Sequence, residues 1–153
     1  MDSRSRWITV ALALAAATSF ALAVQSAWWS IGEVSIGPFG ARHCFSGECR
    51  ETGLSWIGGS ELWMRSAVAT RAAGYIAMFV LLMFAGAIAA KREPKLVARG
   101  AAAALLTVLV TGTYFGVGFP GLNGSSMGVG MLELGLGLVF GSLALVMFLR
   151  RRS

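Results

Sequence analysis

The chain's only two cysteines and its only histidine fall within "HCFSGEC", residues 43–49. Those residue types support three chemistries. Cys44 and Cys49 can close a disulfide, cycle as a thiol pair, or bind a metal together with His43 and Glu48. The spacing fits a bridge across a hairpin turn, with "FSGE" as a four-residue connection of a common length. A redox pair would be better served by a C-x-x-C motif, which lowers a thiol pKa and is lacking here. A thiolate metal site competes poorly with oxidation in an oxidising compartment. The structural disulfide is the leading reading, with the redox and metal readings as alternatives.

Two further ionisable residues stand out because apolar sequence surrounds them. Arg71 follows Trp63 by eight residues and Glu133 follows Met127 by six, roughly 10 Å of helix in each case. A charge inside a membrane is expensive without a partner, so the expectation is an intramembrane Arg71–Glu133 ion pair facing the bundle interior. Gly130, Glu133, Gly137 and Gly141 recur at i, i+3, i+7 and i+11. They share a helix face on which another helix can approach closely. Thr107, Thr111, Tyr114 and Gly118 form a similar stripe, read as hydrogen-bonding into the same interior. No nucleophile elbow, phosphate loop or metal-ligand cluster appears. The "GVG" at 116–118 and 128–130 lacks a surrounding βαβ unit, so it is not a nucleotide fingerprint. The sequence therefore gives no catalytic residue, cofactor or metal site, and the expectation is a non-enzymatic protein.

The elements that must position these residues are membrane spans. The chain has 153 residues, 56% hydrophobic and 13% charged, against about 25% charged in a soluble domain. Its apolar residues come in four blocks near the roughly 20-residue length that crosses a bilayer. They lie at about 7–29, 63–90, 100–119 and 127–149. None alternates as a barrel strand does. The expected fold class is an all-α membrane protein: a single domain, 1–153, forming a four-transmembrane-helix bundle. A small disulfide-linked extracytoplasmic β-hairpin is expected in the loop 30–62.

The net charge is +6, but the basic residues cluster between the apolar blocks, which is orientation chemistry and not a nucleic-acid face. Arg4 and Arg6, then Lys91, Arg92, Lys95 and Arg99, then Arg150, Arg151 and Arg152 fall on one side of four spans. That side is expected to be the cytoplasm, with both termini there and the cysteine loop outside. Trp28, Trp29, Trp56 and Trp63 are expected as an outer interfacial belt. Arg4, Arg6 and the "ALA" at 21–23 also fit a cleavable signal peptide. The apolar run continues to Trp29, which favours an uncleaved first span.

This layout resembles the claudins and the wider group that includes peripheral myelin protein. They have four spans with both ends cytoplasmic, and their large first outer loop carries a β-sheet and one disulfide. A tryptophan follows span one, and an arginine stands near the outer end of span two. Trp29, Cys44, Cys49 and Arg71 stand here in matching order, and "ATRAAGYIAMF" looks like the start of that second span. The chain departs from the family in having "FGARH" where a G-L-W motif precedes the first cysteine, and in its closer cysteines and shorter loop. The resemblance implies lateral assembly, adhesion or an accessory role. The expected partners are the lipid bilayer and a second copy or another membrane subunit, with no nucleic acid. The compact loops suit a bacterial inner membrane. A small transporter or channel using Glu133 and Arg71, and a membrane thiol–disulfide oxidoreductase using Cys44 and Cys49, are the alternatives.

Overall fold

A computed structural model describes residues 3–150. Arg151 and Arg152 of the last basic cluster lie outside the described residues. Four helices dominate: α1 (Ser3–Ala23), α2 (Glu61–Ala89), α3 (Lys95–Val117) and α4 (Gly130–Leu149). Each is long and apolar enough to cross a membrane, so the chain reads as an integral membrane protein. Large apolar side chains such as Val68, Phe79, Leu106 and Leu132 cover the outside of the bundle. Water would penalise that surface and lipid does not.

Local sequence sets the helix ends. Gly58 and Gly59 break the chain before α2. Ser60 then caps the helix, its hydroxyl accepting from the Trp63 N–H at 3.1 Å. Glu61 stands in the first turn, where the helix dipole favours an acid. The α2 terminus is closed by a bond from the Arg92 N–H to the Ala87 carbonyl, 2.9 Å, with Lys91 in the left-handed region. Pro94 has no N–H to leave unsatisfied, so it suits the cap position of α3, its carbonyl accepting from the Ala98 N–H at 2.8 Å. This short connection makes α2 and α3 antiparallel neighbours. The helices form a ring: α1 packs on α2 and α4, α2 on α3, and α3 on α4 along the least extensive seam.

At the end opposite the Lys91–Arg99 connection lies a five-stranded antiparallel sheet, in order β4-β3-β2-β1-β5. The strands are β1 (Trp29–Ile31), β2 (Val34–Gly37), β3 (Gly40–Phe45), β4 (Glu48–Thr52) and β5 (Ser126–Met127). One expected hairpin is thus a four-stranded meander of three successive hairpins, plus a strand from the α3–α4 connection. β1 pairs Trp29 with Ile36 and, on its other side, with Met127. Alternation puts Trp29, Ile36 and Ala41 on the face over the bundle, all buried. Ser30, Ser35, Arg42, Cys44 and Glu51 take the other face.

The β3–β4 turn is tighter than expected. Phe45 pairs with Glu48, leaving a two-residue loop of Ser46 and Gly47. Their φ values, 51° and 87°, are both positive, as a type I′ turn requires. The turn's twist matches that of the strands, which is why two residues suffice.

Candidate functional site

Cys44 and Cys49 are directly opposite in the β3–β4 register and form a disulfide, with their Cα atoms 4.1 Å apart. The bond consumes both sulfurs, so they are not available as the thiolates a metal site with His43 and Glu48 would need. His43 instead leans over the Trp56 ring at 5.2 Å. Among the described residues no cluster of three or more His, Cys, Asp or Glu could hold a metal ion.

The most heavily built region is an aromatic plug between the bundle and the sheet. Trp28 and Trp63 are each 1% exposed. Trp28 Nε1–H donates to the Ala23 carbonyl at 2.8 Å, and Trp63 Nε1–H donates to the Phe115 carbonyl at 2.9 Å. Both acceptors belong to the last turns of helices, where carbonyls have no intrahelical partner. Each indole therefore satisfies a group that burial would otherwise orphan. Phe115 stacks on Trp63 at 5.3 Å, and Phe119 stacks on Trp29 at 4.2 Å. The main chain of Trp28 ties the plug to the sheet: its N–H donates to the Ile36 carbonyl, and its carbonyl accepts from Gly128, both at 2.8 Å. Three of the four tryptophans expected at an interfacial belt are thus core residues. Only Trp56, 48% exposed, stays at the surface. Composition near a span end cannot separate a belt tryptophan from one that plugs the bundle mouth.

Three of the four glycines of α4, Gly130, Gly137 and Gly141, lie at close contacts, and Gly135 faces open space. A Cβ on Gly130 would collide with the Trp28 ring. One on Gly137 would sit 2.9–3.1 Å from the Phe20 ring, and one on Gly141 would sit 2.9 Å from Leu105. Gly130 and Gly137 let α1 and Trp28 approach α4, and Gly141 admits α3.

Two expected arrangements are not found. Arg71 and Glu133 do not pair; the salt bridges among the described residues include Arg42–Glu51 at 2.9 Å and the helical pair Arg65–Glu61. Ring order explains this. α2 and α4 are diagonal, meeting across the core where Phe84 packs on Phe148. Arg71 lies on the exposed face of α2, lining a groove with Phe39, Glu51 and Leu54 from the sheet side. Glu133 lies in the first turn of α4, at the favourable end of its dipole, with Oε2 buried and without a hydrogen-bond partner. α4 begins at Gly130, not 127, which brings Glu133 closer to its helix start, and beyond Arg71 α2 is uncharged to its end at Ala89.

The α3 stripe also faces the other way. Ala101, Ala104, Leu105, Val108, Gly112 and Phe115 take the buried face. Thr107 and Tyr114 are exposed and Thr111 is half-buried. Thr107 Oγ1–H donates to the Ala103 carbonyl and Thr111 Oγ1–H to the Thr107 carbonyl, both at 2.9 Å. A threonine that bonds its own helix one turn back has no need of the interior. Tyr114 separates two apolar grooves. One, about 560 Å³, is lined by Leu109, Val110, Thr113, Val117 and Gly118; the other, about 270 Å³, by Leu62, Arg65, Ser66, Ala69, Val110 and Thr111.

No protein-family model matches the chain, and no curated protein matches it significantly.

Proposed function

We propose that this protein is a non-enzymatic integral membrane subunit, structural or accessory, acting through lateral helix contacts and a disulfide-clasped outer loop. The observation that carries the reading is the outward face of α3. Thr107, Thr111 and Tyr114 form a polar stripe turned away from the core, with an apolar groove on each side of Tyr114. Small and hydroxyl-bearing residues are what transmembrane helices use to associate, since lipid offers apolar faces no drive to do so. The bundle's own contacts are made elsewhere, by Gly130, Gly137 and Gly141 and by the plug. The Thr107 and Thr111 hydroxyls donate within α3, so what the stripe offers a second copy or another membrane subunit is small side chains, hydroxyl acceptors and the Tyr114 hydroxyl.

The basic end of the bundle, with Arg4, Arg6, Lys91, Arg92, Lys95, Arg99 and Arg150, is read as cytoplasmic and the sheet end as extracytoplasmic, in a bacterial inner membrane. The likeness to the claudin group draws support from the sheet with one disulfide between the first two helices, from Trp29 after α1, and from Arg71 near the sheet end of α2. The transport alternative has less to draw on. Ala13, Ala16, Ala77, Leu81, Ala101 and Phe84 fill the interior. The buried hydroxyls of Thr9, Ser66 and Thr70 are spent on their own helices.

A photo-crosslinking amino acid placed at position 107, 111 or 114 tests the reading in native membranes. A discrete protein adduct there, with lipid adducts alone at Val139 on the exposed side of α4, is the expected result. Lipid adducts alone at all four positions would sink it.

A further inference from the structure

We infer that the groove beside Arg71 seats the headgroup of an anionic phospholipid of net charge −1, its phosphate on the Arg71 guanidinium. Three observations carry this beyond the lateral-contact reading, and none depends on it. The first is depth. The uncharged run from Ala72 to Ala90 is about 28 Å of helix, close to the ~30 Å of a bilayer's hydrocarbon. Arg71 and Lys91 bracket that run, which puts Arg71 at the hydrocarbon boundary on the sheet side. The packing agrees: Gly74 seats against Val24, the residue after α1 ends, and Arg71 lies one turn nearer the sheet. Lipid phosphates lie at this level.

The second is charge. Arg71 shares the groove with one acid, Glu51, and Glu51 is held by Arg42 at 2.9 Å, which also stacks over Phe39 at 4.9 Å. Arg42 and Glu51 cancel, so the groove keeps the single positive charge of Arg71. Guanidinium matches phosphate with two parallel hydrogen bonds. The third is shape. The groove, about 470 Å³, is lined by Phe39, Leu54, Met64 and Val68 beside the charge. That apolar wall suits the glycerol and upper acyl carbons that accompany a lipid phosphate.

The test uses the full chain in nanodiscs of phosphatidylcholine with a graded fraction of phosphatidylglycerol. Lipid retained after gentle release is counted by native mass spectrometry. Wild type is expected to retain one phosphatidylglycerol preferentially. Arg71→Gln removes a charge-assisted hydrogen bond, and selectivity should fall by about tenfold or more. Val68→Glu sets a carboxylate one turn from Arg71 at an exposed position and should produce the same loss if Arg71→Gln folds poorly. Arg50→Gln, at an exposed position on β4 outside the groove, should leave selectivity unchanged. Equal retention of the two lipids by wild type would overturn the inference. So would selectivity that survives both Arg71→Gln and Val68→Glu, or that is lost in Arg50→Gln.

Discussion

Replacing Trp63 by phenylalanine removes the indole N–H and two ring carbons while leaving a ring to stack on Phe115. The cost follows from what that N–H does. The Phe115 carbonyl lies in the last turns of α3 and takes its hydrogen bond from Trp63 Nε1 at 2.9 Å. With the donor gone, a buried acceptor is left unsatisfied, which costs about 1–3 kcal/mol. Loss of two buried ring carbons adds roughly 1–2 kcal/mol. At about 2–4 °C per kcal/mol for a chain of this size, the melting temperature should fall by roughly 5–15 °C. The assay is the fraction of monodisperse protein left after graded heating in mild detergent, read by size-exclusion chromatography. Trp7→Phe is the control, since Trp7 is 54% exposed at the far end of the bundle and should move by less than about 0.5 kcal/mol. Trp28→Phe, which frees the Ala23 carbonyl, should resemble Trp63→Phe. The double variant should lose a different amount from the sum, because both indoles touch Phe115. If Trp63→Phe melts with Trp7→Phe and wild type, the reasoning that the indoles close the bundle by satisfying helix-end carbonyls is wrong.

Gly137→Ala should cost about 1–3 kcal/mol, because its new methyl meets the Phe20 ring; Gly135→Ala, with open space at that position, should be neutral or slightly stabilising in the same melting assay. Cys44→Ser with Cys49→Ser opens a loop small enough that the loss is about 2 kcal/mol, confined to the hairpin. Hydrogen exchange should speed up at the β3–β4 amides and stay slow in the four helices. Faster exchange throughout the bundle would show the clasp holding more than its own hairpin. Arg71→Gln with Glu133→Gln should behave additively, since the two residues do not pair; a double variant more stable than the sum of the single losses would restore the ion pair.

The spans were legible because twenty apolar residues in a row have one common explanation. Their ends were less so. The first span was expected to run to Trp29, but α1 stops at Ala23 and the chain turns at Gln25 and Ser26 to deliver Trp28 into the plug. Apolar residues look alike whether lipid or protein buries them, so hydropathy carried the span six residues too far. The Cys44–Cys49 bridge could be read from spacing. The extra strands could not: β5 is two residues long, and its pairing with β1 joins segments 96 residues apart. The Arg71–Glu133 pair and the inward α3 stripe were misjudged for one reason. Periodicity says which residues share a face, but ring order decides where that face points. It set α2 diagonal to α4 and gave the inner side of α3 to Val108, Gly112 and Phe115.

The proposed assembly face on α3 can be tested on the intact protein. The most direct measurement is the mass of the protein extracted from native membranes in mild detergent, for wild type and for Thr107→Leu, Thr111→Leu, Tyr114→Leu combined. These substitutions leave the buried side of α3 untouched. Wild type should run as a defined homo-oligomer or stoichiometric complex, and the triple variant as a folded monomer with an unchanged melting temperature. A monomer in both cases, or an assembly of the same mass in both, would contradict it.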